Sequence, residues 1–86
     1  MVTVEFFGIP RQRAGRTELV VEADTVAEMM ATVKAACPGL GDLVEKDGRL
    51  ASHYLLSIEG KGFVKDVCQV LAPGTRVLLL SADAGG

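Results

Sequence analysis

Tryptophan is absent from this 86-residue chain, and tyrosine and histidine occur once each. Histidine is the side chain that most often moves protons near neutral pH. The only copy here, His53, has no Cys, Ser or carboxylate set beside it by any motif, so it reads as a solvated side chain. Cysteine is nearly as scarce. Cys37 and Cys68 are too few and too far apart for a zinc site or a disulfide framework, and both are expected to be buried, reduced thiols. No apolar run approaches the roughly 18 residues of a membrane span, and no basic start precedes a short apolar segment. These absences point to the cytoplasm, away from any membrane. An excess of positive charge is also missing: 9 Lys and Arg against 11 Asp and Glu give a net charge of −2. A nucleic-acid partner would need clustered basic residues, and only Arg11, Arg13 and Arg16 fall close together. Gly39-Leu40-Gly41 and Gly60-Lys61-Gly62 lack the glycine count and the Lys-Ser/Thr of a phosphate loop. No metal-ligand spacing occurs, and Asp24 and Glu28 need no role beyond favouring a helix start. The chain reads as a non-enzyme with no bound cofactor.

What is present is an ordinary globular composition, 49% apolar and 23% charged, in a length that suits one domain with one modest core. Val2-Thr3-Val4-Glu5-Phe6-Phe7 alternates with period two, placing Val2, Val4 and Phe6 on one face and Phe7 on the other. Gly8-Ile9-Pro10 breaks the pattern and opens a loop through Gly15. Residues Thr17 to Ala23 alternate again, with Leu19, Val21 and Ala23 apolar, so the two runs predict an antiparallel hairpin. Thr25 and Glu28 form a capping box. Behind it Val26, Met29, Met30, Val33 and Cys37 keep the helical spacing of one apolar face. Pro38-Gly39 ends that helix by removing a donor and permitting a left-handed cap. Leu40, Leu43 and Val44 are candidate core anchors. Tyr54 to Glu59 reads as a strand, Phe63 to Leu71 fits strand, turn or one helical turn, and Arg76 to Leu80 is an unbroken apolar strand.

The order β-β-α-β-(short element)-β, with one main helix packed across one face of a mixed sheet, predicts an α+β fold. If the first and last strands are central neighbours, their parallel pairing suits the long crossover between them, and the arrangement is a β-grasp, the ubiquitin-like roll. Residues 1–80 would form this domain and residues 81–86 a flexible tail. One helix can cover only one sheet face. Phe7, Leu80 and Leu55 would then lie on the other, as an exposed apolar patch of the kind that marks partner surfaces, unless the 60–72 segment covers them.

The closing Ser-Ala-Asp-Ala-Gly-Gly offers the remaining chemistry. Glycine forms about 7% of average sequence, so a closing pair arises by chance in roughly one chain in two hundred, which asks for an explanation without being one. Gly85 and Gly86, lacking Cβ atoms, could enter a slot too narrow for other residues. A slender terminus with a carboxylate suits a protein that is itself a substrate, adenylated with ATP by a partner and then attacked by a sulfur or amine nucleophile.

Val4-Glu5-Phe6-Phe7-Gly8 with Arg11 and Gly15 after it, Thr25-Val26 opening the main helix, Pro73-Gly74 before the last strand and the closing Gly85-Gly86 stand at spacings shared by a known group. On these features the chain resembles the MoaD/ThiS sulfur-carrier proteins, relatives of ubiquitin, over nearly its whole length. The resemblance implies that Gly86 is adenylated by a ubiquitin-activating-enzyme-like adenylyltransferase of the MoeB/ThiF type. Gly86 would then become a thiocarboxylate, with ATP and a sulfur donor used by the partner. The sulfur would pass to an acceptor subunit, MoaE-like or other, in molybdopterin, thiamine, cysteine or another thio-metabolite synthesis, with molybdopterin the leading case. A ubiquitin-like modifier joined to lysines through Gly86 is the alternative. The resemblance further implies that Phe7, Arg11, Phe63 and Leu80 face the partner. Two departures stand out: Glu59-Gly60 where relatives often carry Asn-Gly, and Ser81-Ala82 where they carry Pro-Pro.

Overall fold

The computed structural model describes residues 1–64 and 66–82. Its elements are β1 (Val2–Phe6), α1 (Gly8–Ala14), β2 (Glu18–Val21), α2 (Val26–Ala36), a 3-10 turn (Pro38–Leu40), β3 (Tyr54–Ile58) and β4 (Arg76–Ser81). The four strands form a single sheet in the order β2-β1-β4-β3. β1 pairs antiparallel with β2 and parallel with β4, and β3 runs antiparallel to β4. First and last strands are therefore central neighbours, and the architecture is the expected β-grasp. None of the helices among the described residues is long and apolar enough to cross a membrane.

Alternation sets which residues enter the core. Val2, Val4 and Phe6 of β1, Leu56 of β3, and Val77 and Leu79 of β4 point to the side covered by α2 and are buried. From the helix come Val26, Met29, Met30, Val33 and the following Cys37, all buried as the helical spacing predicts. Each fully buried side chain of this size contributes about 1.5–3 kcal/mol relative to exposure. Leu40 and Leu43 close the far end of the core, and Val44 is half-buried.

The capping box of α2 forms with one adjustment. The Glu28 amide donates to Thr25 Oγ1 at 3.2 Å, while Glu28 Oε1 reaches one residue further back, to the Asp24 amide at 2.8 Å. The next two free donors are met from outside the helix, Val26 N–H by the Gln69 carbonyl (3.0 Å) and Ala27 N–H by the Val67 carbonyl (2.8 Å). This fixes the stretch whose sequence fitted several structures. Residues 66–71 run along the start of α2, bridged at Thr25–Val70, and supply the partners that the helix's orphan amides need. Residues 66–71 are thus committed to the helix side of the sheet, while Phe63 bridges Ser57 at the edge of the opposite face.

Three expectations need correction. The predicted loop 8–15 is mostly helix. Pro10 falls in the first turn of α1, where its missing N–H is no loss, and Gly15 is the left-handed cap (φ 72°), donating to the Arg11 carbonyl at 3.0 Å. Residues that look like breakers act as the two ends of a short helix. Gly39 is not a left-handed cap; α2 ends at Cys37, whose amide donates to the Val33 carbonyl at 2.8 Å. Cys37 is buried but Cys68 is exposed, and both are free thiols.

Candidate functional site

The sheet face opposite α2 collects Thr3 and Glu5 from β1, Glu18 and Val20 from β2, Arg76, Leu78 and Leu80 from β4, and Leu55 and Ser57 from β3. The register makes them neighbours: Glu5 stands between Glu18 and Leu78, and Leu80 pairs with Leu55. Phe7 follows β1 with the same parity. Its amide donates to the Leu79 carbonyl at 3.0 Å, which holds the ring beside the end of β4, 40% exposed. Phe63 joins from beyond β3, because an isolated bridge sets it opposite Ser57 and so on the same side; it is 59% exposed. Phe7, Leu80 and Phe63, with Leu55 and Leu78, thus occupy one face, as the alternation implied for Phe7, Leu55 and Leu80. The apolar residues gather toward the end of the sheet where β4 finishes at Ser81. Toward the other end the face is charged, with the Arg76 guanidinium paired to Glu5 and, at 3.4 Å, to Glu18.

Between these two regions lies a shallow depression lined by Glu5, Phe7, Glu59, Gly60, Gly74, Arg76 and Leu78. Glu59 and Gly60 are the central residues of a turn closed by the Lys61 amide on the Ile58 carbonyl at 3.0 Å. Both have positive φ, 54° and 74°, the pattern of a type I′ turn.

Arg11 lies elsewhere. It is exposed on α1 and lines a separate hollow with Gly8, Gln12, Gly15, Arg16 and Thr17, which shares none of the depression's residues. Of the four expected partner residues, three therefore share a face and the fourth, Arg11, is not among them. Gly85 and Gly86 lie outside the described residues.

A further group stands where the described chain ends. The Asp42 carboxylate accepts from the Tyr54 hydroxyl at 2.7 Å and from Arg13 at 2.9 Å, with His53 Nε2 at 2.8 Å. Arg13 also donates to the Tyr54 oxygen at 2.8 Å, and the His53 and Tyr54 rings lie 4.3 Å apart. The Tyr54 hydroxyl, then His53 and Arg13, hold the Asp42 carboxyl down at about 2 against partial burial, which works the other way. Burial, then the Asp42 carboxylate, pushes the Tyr54 hydroxyl up. The His53 carbonyl accepts from Ala82 at 2.9 Å, so this cluster ties down the exit of β4. His53 is half-exposed, as expected of a solvated side chain, yet it has a fixed partner that its sequence neighbours do not reveal. Among the described residues no three of His, Cys, Asp and Glu gather as a metal site.

No protein-family model matches the chain, and no curated protein matches it in sequence. Solved structures do match its fold. The small archaeal modifier protein 1 of Methanosarcina acetivorans superposes with a TM-score of 0.82 at 21% identity, covering 99% of this chain and 95% of that one. A chain of the Amycolatopsis orientalis BexX/CysO complex gives 0.82 at 22% identity, covering 100% of both. The putative molybdopterin converting factor subunit 1 of Pyrococcus furiosus gives 0.76 at 20% identity, covering 93% and 94%. At such identities the likeness is one of fold. At that level it bears out the resemblance drawn from the opening and closing motifs.

Proposed function

We propose that this chain is a sulfur carrier whose Gly86 carboxylate is the reacting group. The observation that carries the reading is the apolar patch of exposed Phe7 and half-buried Leu55, Leu78 and Leu80, set on the sheet face opposite α2 at the end where β4 finishes. A partner seated on that patch would have the tail delivered beside it. The carboxylate attacks the α-phosphorus of ATP in the partner's site, releasing pyrophosphate and leaving an acyl-adenylate. Sulfide then attacks the acyl carbon, AMP leaves, and a thiocarboxylate remains; where the donor is a persulfide, the product is an acyl disulfide, and a second thiol of the partner cleaves its S–S bond, forming a disulfide with the donor and freeing the thiocarboxylate. The likeness to a molybdopterin converting factor subunit supports the molybdopterin precursor as acceptor, and the likeness to a chain of a BexX/CysO complex supports a carrier that works in complex with a partner protein. In either case the chain is a co-substrate of a MoeB/ThiF-type adenylyltransferase and then of an acceptor subunit.

The test is intact mass after incubation with ATP, a sulfide source and the host's adenylyltransferase. A gain of about 16 Da, oxygen replaced by sulfur, is expected, and deletion of Gly86 should abolish it. No gain, together with no ATP–pyrophosphate exchange, sinks the proposal. The archaeal modifier likeness favours one further reading, conjugation to lysines through the same carboxylate. Gly-Gly remnants on lysines of other proteins in the host would identify it.

A further inference from the structure

Glu59 breaks a local rule. Its backbone sits at φ 54°, with Gly60 at 74°, where Asn-Gly is the favoured pair and where other side-chain-bearing residues lose roughly 1 kcal/mol. Residues kept against local preference are commonly kept for what they touch. Glu59 lines the depression on the open face together with Glu5 and Arg76, and its amide donates to the Arg76 carbonyl at 2.8 Å. Glu5 is already paired with Arg76, whereas Glu59 takes part in no ion pair among the described residues. The side chains Glu5, Glu18, Glu59 and Arg76 leave this region with an excess of negative charge, beside the apolar Phe7 and Leu78. Gly60 and Gly74 carry no side chain to overhang it.

We infer that Glu59 is a partner-recognition residue, and that the depression receives a lysine or arginine from the protein docked on the open face. The aliphatic stem lies along Leu78 and Phe7, and the cationic head meets the Glu59 carboxylate. The argument is charge complementarity, added to an apolar face that no helix among the described residues covers and on which Phe7 and Phe63 are exposed. It rests on the reading above in taking the adenylyltransferase as the protein that docks.

Calorimetric binding of the full chain to the host's adenylyltransferase tests this separately from the chemistry. Glu59→Lys should weaken binding about tenfold and Glu59→Asn about threefold, as for charges at the rim of an interface. Both variants should also flatten the salt dependence of affinity. Asn suits the left-handed turn better than Glu, so Glu59→Asn should unfold at a higher temperature while binding less well. That opposition separates recognition from misfolding. Glu45→Lys makes the same change in net charge in a different hollow, and should bind as the unaltered chain does. Equal affinity of all three variants overturns the inference while leaving the sulfur-carrier reading intact. Absence of binding by the unaltered chain overturns the inference together with the partner assumed for it. Weakened binding with no ATP–pyrophosphate exchange supports the inference and sinks the carrier chemistry instead.

Discussion

At Gly39 an added Cβ would lie 2.1 Å from the Arg13 carbonyl oxygen, because the 3-10 turn packs directly on the backbone of α1. Backbone cannot swing aside as a side chain can. Gly39→Ala should therefore destabilise the domain by about 3 kcal/mol. Its thermal midpoint should fall by roughly 15 °C, measured by circular dichroism. The sequence showed that a glycine was wanted after Pro38, but the reason drawn from it was the wrong one. The position needs space, not a left-handed φ, and only a neighbour 26 residues back in the chain reveals this, since 39 − 13 = 26. Glu59 is the converse case. Periodicity made Glu59 the last residue of the strand, whereas β3 ends at Ile58 and Glu59 lies in the turn beyond, because nothing in the alternation signals a positive φ at a glutamate.

Among the elements, α2 was legible down to its buried face because capping and helical spacing are local signals. α1 was not, since its Pro10 and Gly15 are punctuation marks that serve equally as helix ends. What fastens α1 is distant in sequence: Arg13 reaches Asp42 and the Tyr54 hydroxyl, joining the helix to β3. That junction should respond to acid. The Asp42 carboxyl titrates at about 2 in the folded protein against an ordinary 3.8. Because its folded value is the lower, the stabilisation it contributes is complete above roughly pH 4–5 and is lost as the pH falls through 2. Tyr54→Phe removes the largest cause of the depression. In that variant the Asp42 carboxyl, followed by NMR, should titrate at a higher pH, and stability near neutrality should drop by about 1 kcal/mol. An unmoved titration would show that the tyrosine does not hold the carboxylate.

For the molecule as a whole, neighbouring phenylalanines divide folding from docking. Phe6 is 2% exposed in the core and Phe7 is 40% exposed on the open face. Phe6→Ala should cost about 3–5 kcal/mol of stability. Phe7→Ala should cost only about 1–2 kcal/mol, because its ring is 40% exposed, and should instead impair adenylation of the tail. Chemical denaturation and ATP–pyrophosphate exchange, measured on both variants, check the division. Loss of exchange only in proportion to loss of folding would remove the docking role from Phe7. This face could be derived from strand parity alone, which placed Phe7, Leu55 and Leu80 together. The charged depression beside them could not, since it depends on register between strands far apart in the chain.

The parallel pairing of β1 with β4 also decides how the domain bears mechanical load. The two strands run in the same direction from opposite ends of the chain, so a pull applied at residues 2 and 81 slides one strand along the other. Every hydrogen bond between them, from the Thr3 amide on the Thr75 carbonyl to the Phe7 amide on the Leu79 carbonyl, is then strained at once. Pulling across the antiparallel β1–β2 pair instead opens bonds one after another. Single-molecule stretching should record a higher rupture force end to end than with handles at residues 2 and 21. A machine that drags this protein by its tail therefore meets its strongest seam first.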